Sequence, residues 1–119
     1  MKRLTLGDLP DGGTPATLAA IGAGWGRVEA GGISRYDDAG HRTHGDALHV
    51  HTVPEIFCIV QGSGTIEIDG TDGGRFTAGD LLIIDPGEDH HLISDGDVPL
   101  VFTWMHLSPP PGEATTSAE

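Results

Sequence analysis

Short apolar runs separated by turn-like segments fill the second half of the chain. They predict seven strands, at 48–52, 55–61, 65–69, 74–77, 81–85, 90–94 and 98–107. The separators, such as QGSG, DGTDGG and DPGED, are rich in glycine and aspartate, as turns are. Further upstream, RVEAGGISRY (27–36) predicts a strand, a Gly-Gly turn or bulge, and a second strand. Many short, closely spaced strands favour an antiparallel sandwich or barrel.

Side chains alternate between the two faces of a strand, so the pattern also predicts which residues point the same way. In the last predicted strand both faces are largely apolar. One face carries Phe102, Trp104 and His106, and the other carries Val101, Thr103, Met105 and Leu107. We therefore expect this strand to be covered on one side by the barrel core and on the other by a partner sheet or subunit.

The ends of the chain differ from its centre. Residues 1–15 are polar and rich in glycine and proline, which predicts an N-terminal arm or a short edge strand. Residues 16–108 form the predicted barrel domain. Residues 109–119 continue a Pro-rich stretch into small polar residues and predict a flexible tail.

Composition narrows the class of protein. A length of 119 residues fits one domain. The net charge of −12 argues against nucleic acid and anionic membranes as partners, and its plain interpretation is solubility, with salt adaptation as a variant. A single cysteine, Cys58, excludes an intrachain disulfide and fits a reducing compartment. The N-terminus lacks the apolar core of a secretory signal and no run is long enough to span a membrane, so we expect a cytoplasmic protein.

Two histidines and a glutamate stand out in HVHTVPE (49–55). Imidazole and carboxylate groups suit a divalent transition metal. Side chains two positions apart on a strand lie roughly 7 Å from one another on the same face, so His49 and His51 can reach one ion. A third nitrogen would come from a distant strand, and DPGEDHH (85–91) offers two candidates after a turn. Ordinary hydrogen-bonded histidines are the alternative, and the HxH pair alone leaves both open.

Together these segments resemble the two motifs of the cupins, G-x5-H-x-H-x(3,4)-E-x6-G and G-x5-P-x-G-x2-H-x3-N. HVHTVPEIFCIVQG (49–62) fits the core of the first motif. GDLLIIDPGEDHHLIS (79–94) fits the second, with Gly87 followed by His90 at the ligand position. Three motif positions differ, with Thr43 in place of the leading glycine, Asp85 in place of the proline and Ser94 in place of the asparagine. None of the three is a ligand position.

The resemblance implies an all-β fold, a double-stranded β-helix or jelly-roll barrel, with one metal ion inside. The implied ligands are His49, His51, Glu55 and His90. By alternation His91 points to the opposite face, so we interpret it as a non-ligand. Three nitrogens and one oxygen leave one or two positions for water or substrate, and they do not distinguish Fe, Mn, Ni, Co, Cu and Zn.

Other residues are weaker candidates for the pocket. His106 is a possible acid/base or an orienting residue, and the alternative is a packed strand end. Trp104 and Phe57 are expected in the pocket wall. Tyr36 is a weak candidate for donating a phenol. Arg27 and Arg35 on the early strands are candidates for binding a substrate carboxylate, with an exposed surface position as the alternative.

Two functions fit this constellation. The first is a metal-dependent enzyme acting on a small oxygenated organic molecule, of the isomerase, lyase or cyclase type or of the dioxygenase type. The second is a non-enzymatic module that binds a metal or a sugar. In either case we expect a small-molecule ligand and a homodimer, and the fold alone does not select the chemistry.

Overall fold

The computed structural model describes residues 1–8, 27–43, 45 and 49–108, and only the backbone of residues 27–29 and 108. These residues form eight strands and one short 3-10 helix, Leu6–Asp8. The strands are β1 (Lys2–Leu4), β2 (Arg27–Tyr36), β3 (Glu55–Gln61), β4 (Ser63–Ile68), β5 (Thr71–Thr77), β6 (Leu81–Ile84), β7 (His90–Ser94) and β8 (Leu100–Ser108). In the described part of the chain, no helix has the length and apolar character that crossing a membrane requires.

The strands form two antiparallel sheets. One has five strands in the order β1-β6-β3-β8-β2, and the other has three in the order β5-β4-β7. Both sheets contribute to one buried cluster, made of Phe57, Ile59, Ile66, Phe76, Leu82, Ile84, Leu92, Leu100 and Phe102. Burial of these apolar side chains between the sheets drives the packing. The fold is the expected all-β double-stranded β-helix.

Most predicted strands are present, with two informative differences. The segment 27–36 is one continuous strand, in which Gly31 and Gly32 pair with β8 and the irregularity lies between Val28 and Ala30. The predicted Gly-Gly turn is therefore wrong, because the long strand β8 gives β2 an unbroken partner. The predicted strand 48–52 is also wrong over residues 49–52, which are irregular, and residue 48 lies outside the described residues.

This irregular segment is nevertheless fixed in place by backbone hydrogen bonds. The His49 carbonyl accepts a hydrogen bond from the His90 amide at 3.2 Å, and the His51 carbonyl accepts one from the Gly87 amide at 2.8 Å. Gly87 has a φ of +85°, a left-handed conformation that favours glycine. The segment therefore lies beside the start of β7, although it forms no regular ladder.

Asp95 joins the far end of the smaller sheet to the segment after β7. Its carboxylate accepts a hydrogen bond from the Ser63 hydroxyl at 2.7 Å and forms an ion pair with Arg75. Hydrogen bonds from Arg75 and then from Ser63 hold the pKa of Asp95 below its ordinary value. Its charged form is thus favoured by the folded chain.

The proposed limits of the domain fall mostly on residues 9–26 and 109–119, which lie outside the described residues. Within residues 1–15, which were predicted to be an arm or a short edge strand, Lys2–Leu4 forms an edge strand on β6.

Candidate metal site

Four side chains from three parts of the chain meet at one end of the barrel. His49 and His51 come from the irregular segment, Glu55 begins β3, and His90 begins β7. One ligand atom from each lies within 4.8 Å of all the others. His51, Glu55 and His90 are buried, and His49 is half-buried. The structure therefore brings together the four residues that the motifs indicate.

The spacing of these atoms suits a shared cation. The Nε2 atoms of His49 and His51 are 3.0 Å apart, and His51 Nε2 is 3.4 Å from Glu55 Oε1. Two donor atoms at about 2.1 Å from one ion are separated by about 3.0 Å at a right angle and about 3.4 Å at a tetrahedral angle. The donor set of imidazole nitrogens and one carboxylate is also the set that divalent transition metals prefer. The residues present thus fit one such ion.

The surroundings of His90 set the orientation of its ring. His90 Nδ1 lies 2.9 Å from the Glu88 carbonyl oxygen, which accepts only, so Nδ1 carries a proton and donates it. This leaves Nε2 facing Glu55 Oε1 at 2.6 Å. At this distance the two atoms share a hydrogen bond, and a metal ion bound between them would take the place of its proton.

Glu55 is kept ionised despite its burial. Desolvation alone would raise its pKa, but the hydrogen bond from His90 and the charges of His90, His106 and His51 lower the pKa below its ordinary value. A carboxylate at this position is ready to act as a ligand without first losing a proton.

His106 contacts the second oxygen of the same carboxylate. Its Nε2 is 2.9 Å from Glu55 Oε2, and its ring centroid is 4.1 Å from that of His51. The backbone register explains this contact, because Glu55 on β3 pairs directly with His106 on β8. His106 therefore orients Glu55 and also carries an exchangeable proton at the wall of the site.

A cavity of about 310 Å³ opens beside this cluster. It is lined by Ser34, Tyr36, Thr43, His49, His51, Glu55, Phe57, Phe102, Trp104 and His106. The predicted pocket residues Phe57, Trp104, Tyr36 and His106 thus all line it. Tyr36 stacks on the exposed His41 with ring centroids 3.9 Å apart, which places this pair on the β2 side of the cavity.

Gly32 makes room for the indole of Trp104. The two residues are paired across β2 and β8. A Cβ atom at position 32 would lie 3.0 Å from Trp104 Nε1 and 3.1 Å from two further ring atoms. The indole therefore lies against bare backbone, a packing that only glycine allows without a shift of the ring.

The two arginines predicted for the pocket have different outcomes. Arg35 does not line the cavity, and its exposed side chain forms an ion pair with Asp37 at 2.7 Å. The prediction that it faces the pocket is wrong, because alternation along β2 turns it away from the side that carries Ser34 and Tyr36. Arg27 begins β2 opposite Ser108, and its side chain lies outside the described part of the structure.

His91 is fully buried and lies outside the four-residue cluster. Its Nδ1 is 2.7 Å from the Thr43 carbonyl oxygen, and its Nε2 is 3.1 Å from Asp89 Oδ1. Both partners are hydrogen-bond acceptors, and the ring of His91 bridges them. Asp89 Oδ1 also accepts the His49 backbone N–H at 2.7 Å. Burial would raise the pKa of Asp89, but the His49 amide and His91 hold it below its ordinary value.

Three lining residues were missed by the sequence predictions. Ser34 shares the cavity face of β2 with Tyr36, and Phe102 shares a face of β8 with Trp104, so alternation was the available signal for both. Thr43 occupies the position of the leading glycine in the first motif, and nothing in the sequence indicated its role. Its hydroxyl accepts a hydrogen bond from the Leu92 amide at 3.0 Å.

Comparison with protein families agrees with the fold and the motifs. The Cupin domain family matches residues 38–106, which is more than half of the chain. The chain therefore belongs to the cupin family. A comparison with curated proteins gave no match.

Several solved structures are similar over most of the chain. A cupin protein from Bacteroides fragilis is 29% identical, with a TM-score of 0.58 over 72% of this chain and 70% of that one. A protein named a predicted oxalate decarboxylase, from Thermotoga maritima, is 22% identical, with a TM-score of 0.59 over 80% and 74%. A Cupin 2 conserved barrel domain protein from Salinispora arenicola is 22% identical, with a TM-score of 0.52 over 69% and 67%. The last two likenesses show the shared fold alone.

Proposed function

We propose that this chain binds one divalent transition-metal ion and acts as an enzyme on a small oxygenated organic molecule. The proposed ligands are His49, His51, Glu55 and His90. The observation that carries the proposal is the convergence of their ligand atoms within 4.8 Å at the wall of an open cavity. A bound ion would act as a Lewis acid on a substrate oxygen, or would activate dioxygen if it were iron or copper.

The residues at the cavity wall favour proton-transfer reactions over the activation of dioxygen. His106 lies at the cavity wall with Nε2 held 2.9 Å from Glu55 Oε2. From this position it can hold a proton beside a bound molecule or accept one from it. Isomerisation, elimination and cyclisation each need such a group next to an activated oxygen. We therefore place them ahead of dioxygenase chemistry.

Metal analysis tests the first half of the proposal. The chain is stripped with a chelator, reloaded separately with Fe(II), Mn(II), Ni(II), Co(II), Cu(II) or Zn(II), desalted and analysed for metal. We expect about one ion per chain for the wild type and less than one tenth for the His49→Ala/His51→Ala variant, because two of four ligands are lost. His41→Ala, which removes an exposed histidine, is the control. Near-stoichiometric metal in the double variant would reject the assignment.

Turnover measurements test the second half of the proposal, that the chain is an enzyme. The loaded wild type is incubated with neutral and anionic oxygenated compounds, and turnover is compared with that of His106→Gln, which keeps a hydrogen-bond donor but cannot transfer a proton near neutral pH. We expect the variant to retain its metal and to lose at least about 100-fold in kcat, the usual contribution of a general acid or base. A loaded chain that binds these compounds but converts none of them would instead support the non-enzymatic alternative.

The homodimer also remains a proposal. Ile33 on edge strand β2 is 67% exposed and Val60 on β3 is 53% exposed, which leaves apolar area available for a second copy. Size-exclusion chromatography with light scattering tests it, and a monomer at micromolar concentration would count against it.

A further inference from the structure

We infer that the cavity binds molecules that carry no negative charge except on the oxygen atoms that contact the metal. Molecules with a second carboxylate or phosphate, remote from the metal, are excluded. The expected ligand is a small oxygen chelator with an apolar or aromatic body. This inference rests on the proposed metal site.

The wall of the cavity offers surfaces for a ring but few partners for an anion. Four aromatic side chains line it, together with the hydroxyl-bearing Ser34 and Thr43. The aromatic residues are Tyr36, Phe57, Phe102 and Trp104. No lysine or arginine is among the described residues that line it. His106, the remaining basic group of the wall, already directs Nε2 at Glu55.

The positive charges of the chain are few, and their positions can be followed one by one. The whole sequence contains six lysines and arginines, and none of them falls in the segments 9–26, 44, 46–48 and 109–119 that the structure leaves undescribed. Lys2 is exposed on β1. Arg3 donates to the Arg75 carbonyl oxygen, Arg35 pairs with Asp37, Arg42 pairs with Glu67, and Arg75 pairs with Asp95. The terminal ammonium group of Met1 contacts Asp85 and Glu88.

Arg27 is the one cationic residue whose side chain is not described. Its backbone lies opposite Ser108 on β8, two positions beyond the lining residue His106 and seven positions along β2 from the lining residue Ser34. At about 3.3 Å per residue, two positions along a strand correspond to about 7 Å between Ser108 and His106. An Arg27→Gln variant is therefore included in the test, because it examines directly whether this residue binds an anion.

The charges at the proposed metal site limit how many anionic groups a bound molecule can carry. A divalent ion and the Glu55 carboxylate leave one positive charge at the centre, which a single anionic group bound to the ion neutralises. A second anionic group elsewhere on the same molecule would be desolvated without a partner, which is unfavourable. The net charge of −12 adds a long-range repulsion of the same sign. Uronates whose carboxylate must be bound away from the metal are therefore poor candidates.

Two probes with the same chelating group test this directly. They are 3,4-dihydroxybenzyl alcohol and 3,4-dihydroxybenzoate, which differ at one remote substituent that is neutral in the first and anionic in the second. Binding to the Zn(II)-loaded chain is measured by titration calorimetry without dioxygen at pH 8, where ordinary histidines are neutral. We expect the alcohol to bind about ten-fold more tightly or better. Equal or tighter binding of the benzoate would overturn the inference.

A charge placed in the cavity should reverse the preference. Ser34→Lys adds a cation on the lining face of β2, while Val98→Lys adds the same charge at an exposed position that does not line the cavity. We expect Ser34→Lys to bring the two dissociation constants within about three-fold of each other and Val98→Lys to leave the wild-type ratio. If the folded, Zn(II)-loaded Ser34→Lys variant keeps the wild-type ratio, or if Arg27→Gln weakens the benzoate alone, the inference fails. Should Ser34→Lys not fold, the wild-type ratio decides.

The same titrations separate this inference from the proposed function. A wild-type chain that does not retain Zn(II) refutes the metal site itself. A chain that retains Zn(II) but binds neither probe, or prefers the benzoate, refutes the inference and leaves the metal site standing.

Discussion

Replacing the buried His91 by leucine should destabilise the fold and loosen one proposed metal ligand. His91 connects the Thr43 carbonyl oxygen to the Asp89 carboxylate, and Asp89 in turn accepts the backbone N–H of His49. Leucine has a similar size, so His91→Leu removes the two hydrogen bonds without opening a large cavity.

The size of the effect follows from the two contacts. A hydrogen bond to a neutral carbonyl contributes about 1 kcal/mol, and one to a charged group about 1.5–3 kcal/mol. His91 Nδ1 contacts the neutral Thr43 carbonyl oxygen at 2.7 Å, and His91 Nε2 contacts the charged Asp89 carboxylate at 3.1 Å. The expected loss is therefore about 3 kcal/mol. This is a large part of the roughly 5–15 kcal/mol by which a domain is stable.

Urea denaturation of the metal-free chain, followed by tryptophan fluorescence, measures this loss. The control is His41→Leu, at an exposed histidine, which should cost less than about 1 kcal/mol. In the metal-loaded chain, His91→Leu should also weaken Zn(II) binding by about 10–100-fold, as is usual when a residue that orients a ligand is removed. A stability loss below about 1 kcal/mol with unchanged Zn(II) affinity would refute the reasoning.

Two further predictions concern packing and pH. Gly32→Ala should cost about 1–3 kcal/mol, because its Cβ meets the Trp104 indole and overpacking has a cost of this size. Urea denaturation measures it. Asp95→Asn should lower stability at neutral pH. Because the folded-state pKa of Asp95 is lowered, its contribution is present above its ordinary pKa of about 4 and disappears as pH falls through the lowered value. Unfolding midpoints from pH 7 to pH 3 measure it.

The packing prediction and the pH prediction each have a separate control. For the packing prediction, Gly32→Ala should become nearly neutral in a Trp104→Leu background, where the contact is absent. An undiminished cost in that background would show that the indole is not the cause. For the pH prediction, the difference between Asp95→Asn and the wild type should stay constant from pH 7 to pH 5 and shrink as the pH falls below the ordinary pKa of about 4. A difference that grows as the pH falls would contradict the sign of the pKa shift.

Much of the site was predictable because its signals are local in the sequence. The spacing of His49, His51 and Glu55, with a further histidine at position 90 after a turn, matched the family motifs. The bounds of β3 and β7 also agree with the apolar runs at 55–61 and 90–94. The alternation of side chains along β8 was enough to predict that Trp104 and His106 share one face, which is the face that lines the cavity, because the burial of one face fixes the register of a strand.

The remaining features depend on contacts between distant segments. The two histidines were predicted to share a strand face, yet they lie on an irregular segment that backbone hydrogen bonds hold against β7. The contact of Thr43 with His91 spans 48 positions and has no local signature. Arg35 was a candidate for the pocket because of its charge, with an exposed surface position as the alternative, and alternation along β2 turns it outward.

The most direct test of the metal site is a crystal of the Co(II)-loaded chain examined by anomalous diffraction at the cobalt edge. The proposed site predicts one strong peak per chain at about 2.0–2.2 Å from Nε2 of His49, His51 and His90 and from an oxygen of Glu55. A peak at another position, or none at these four side chains under saturating Co(II), would contradict it.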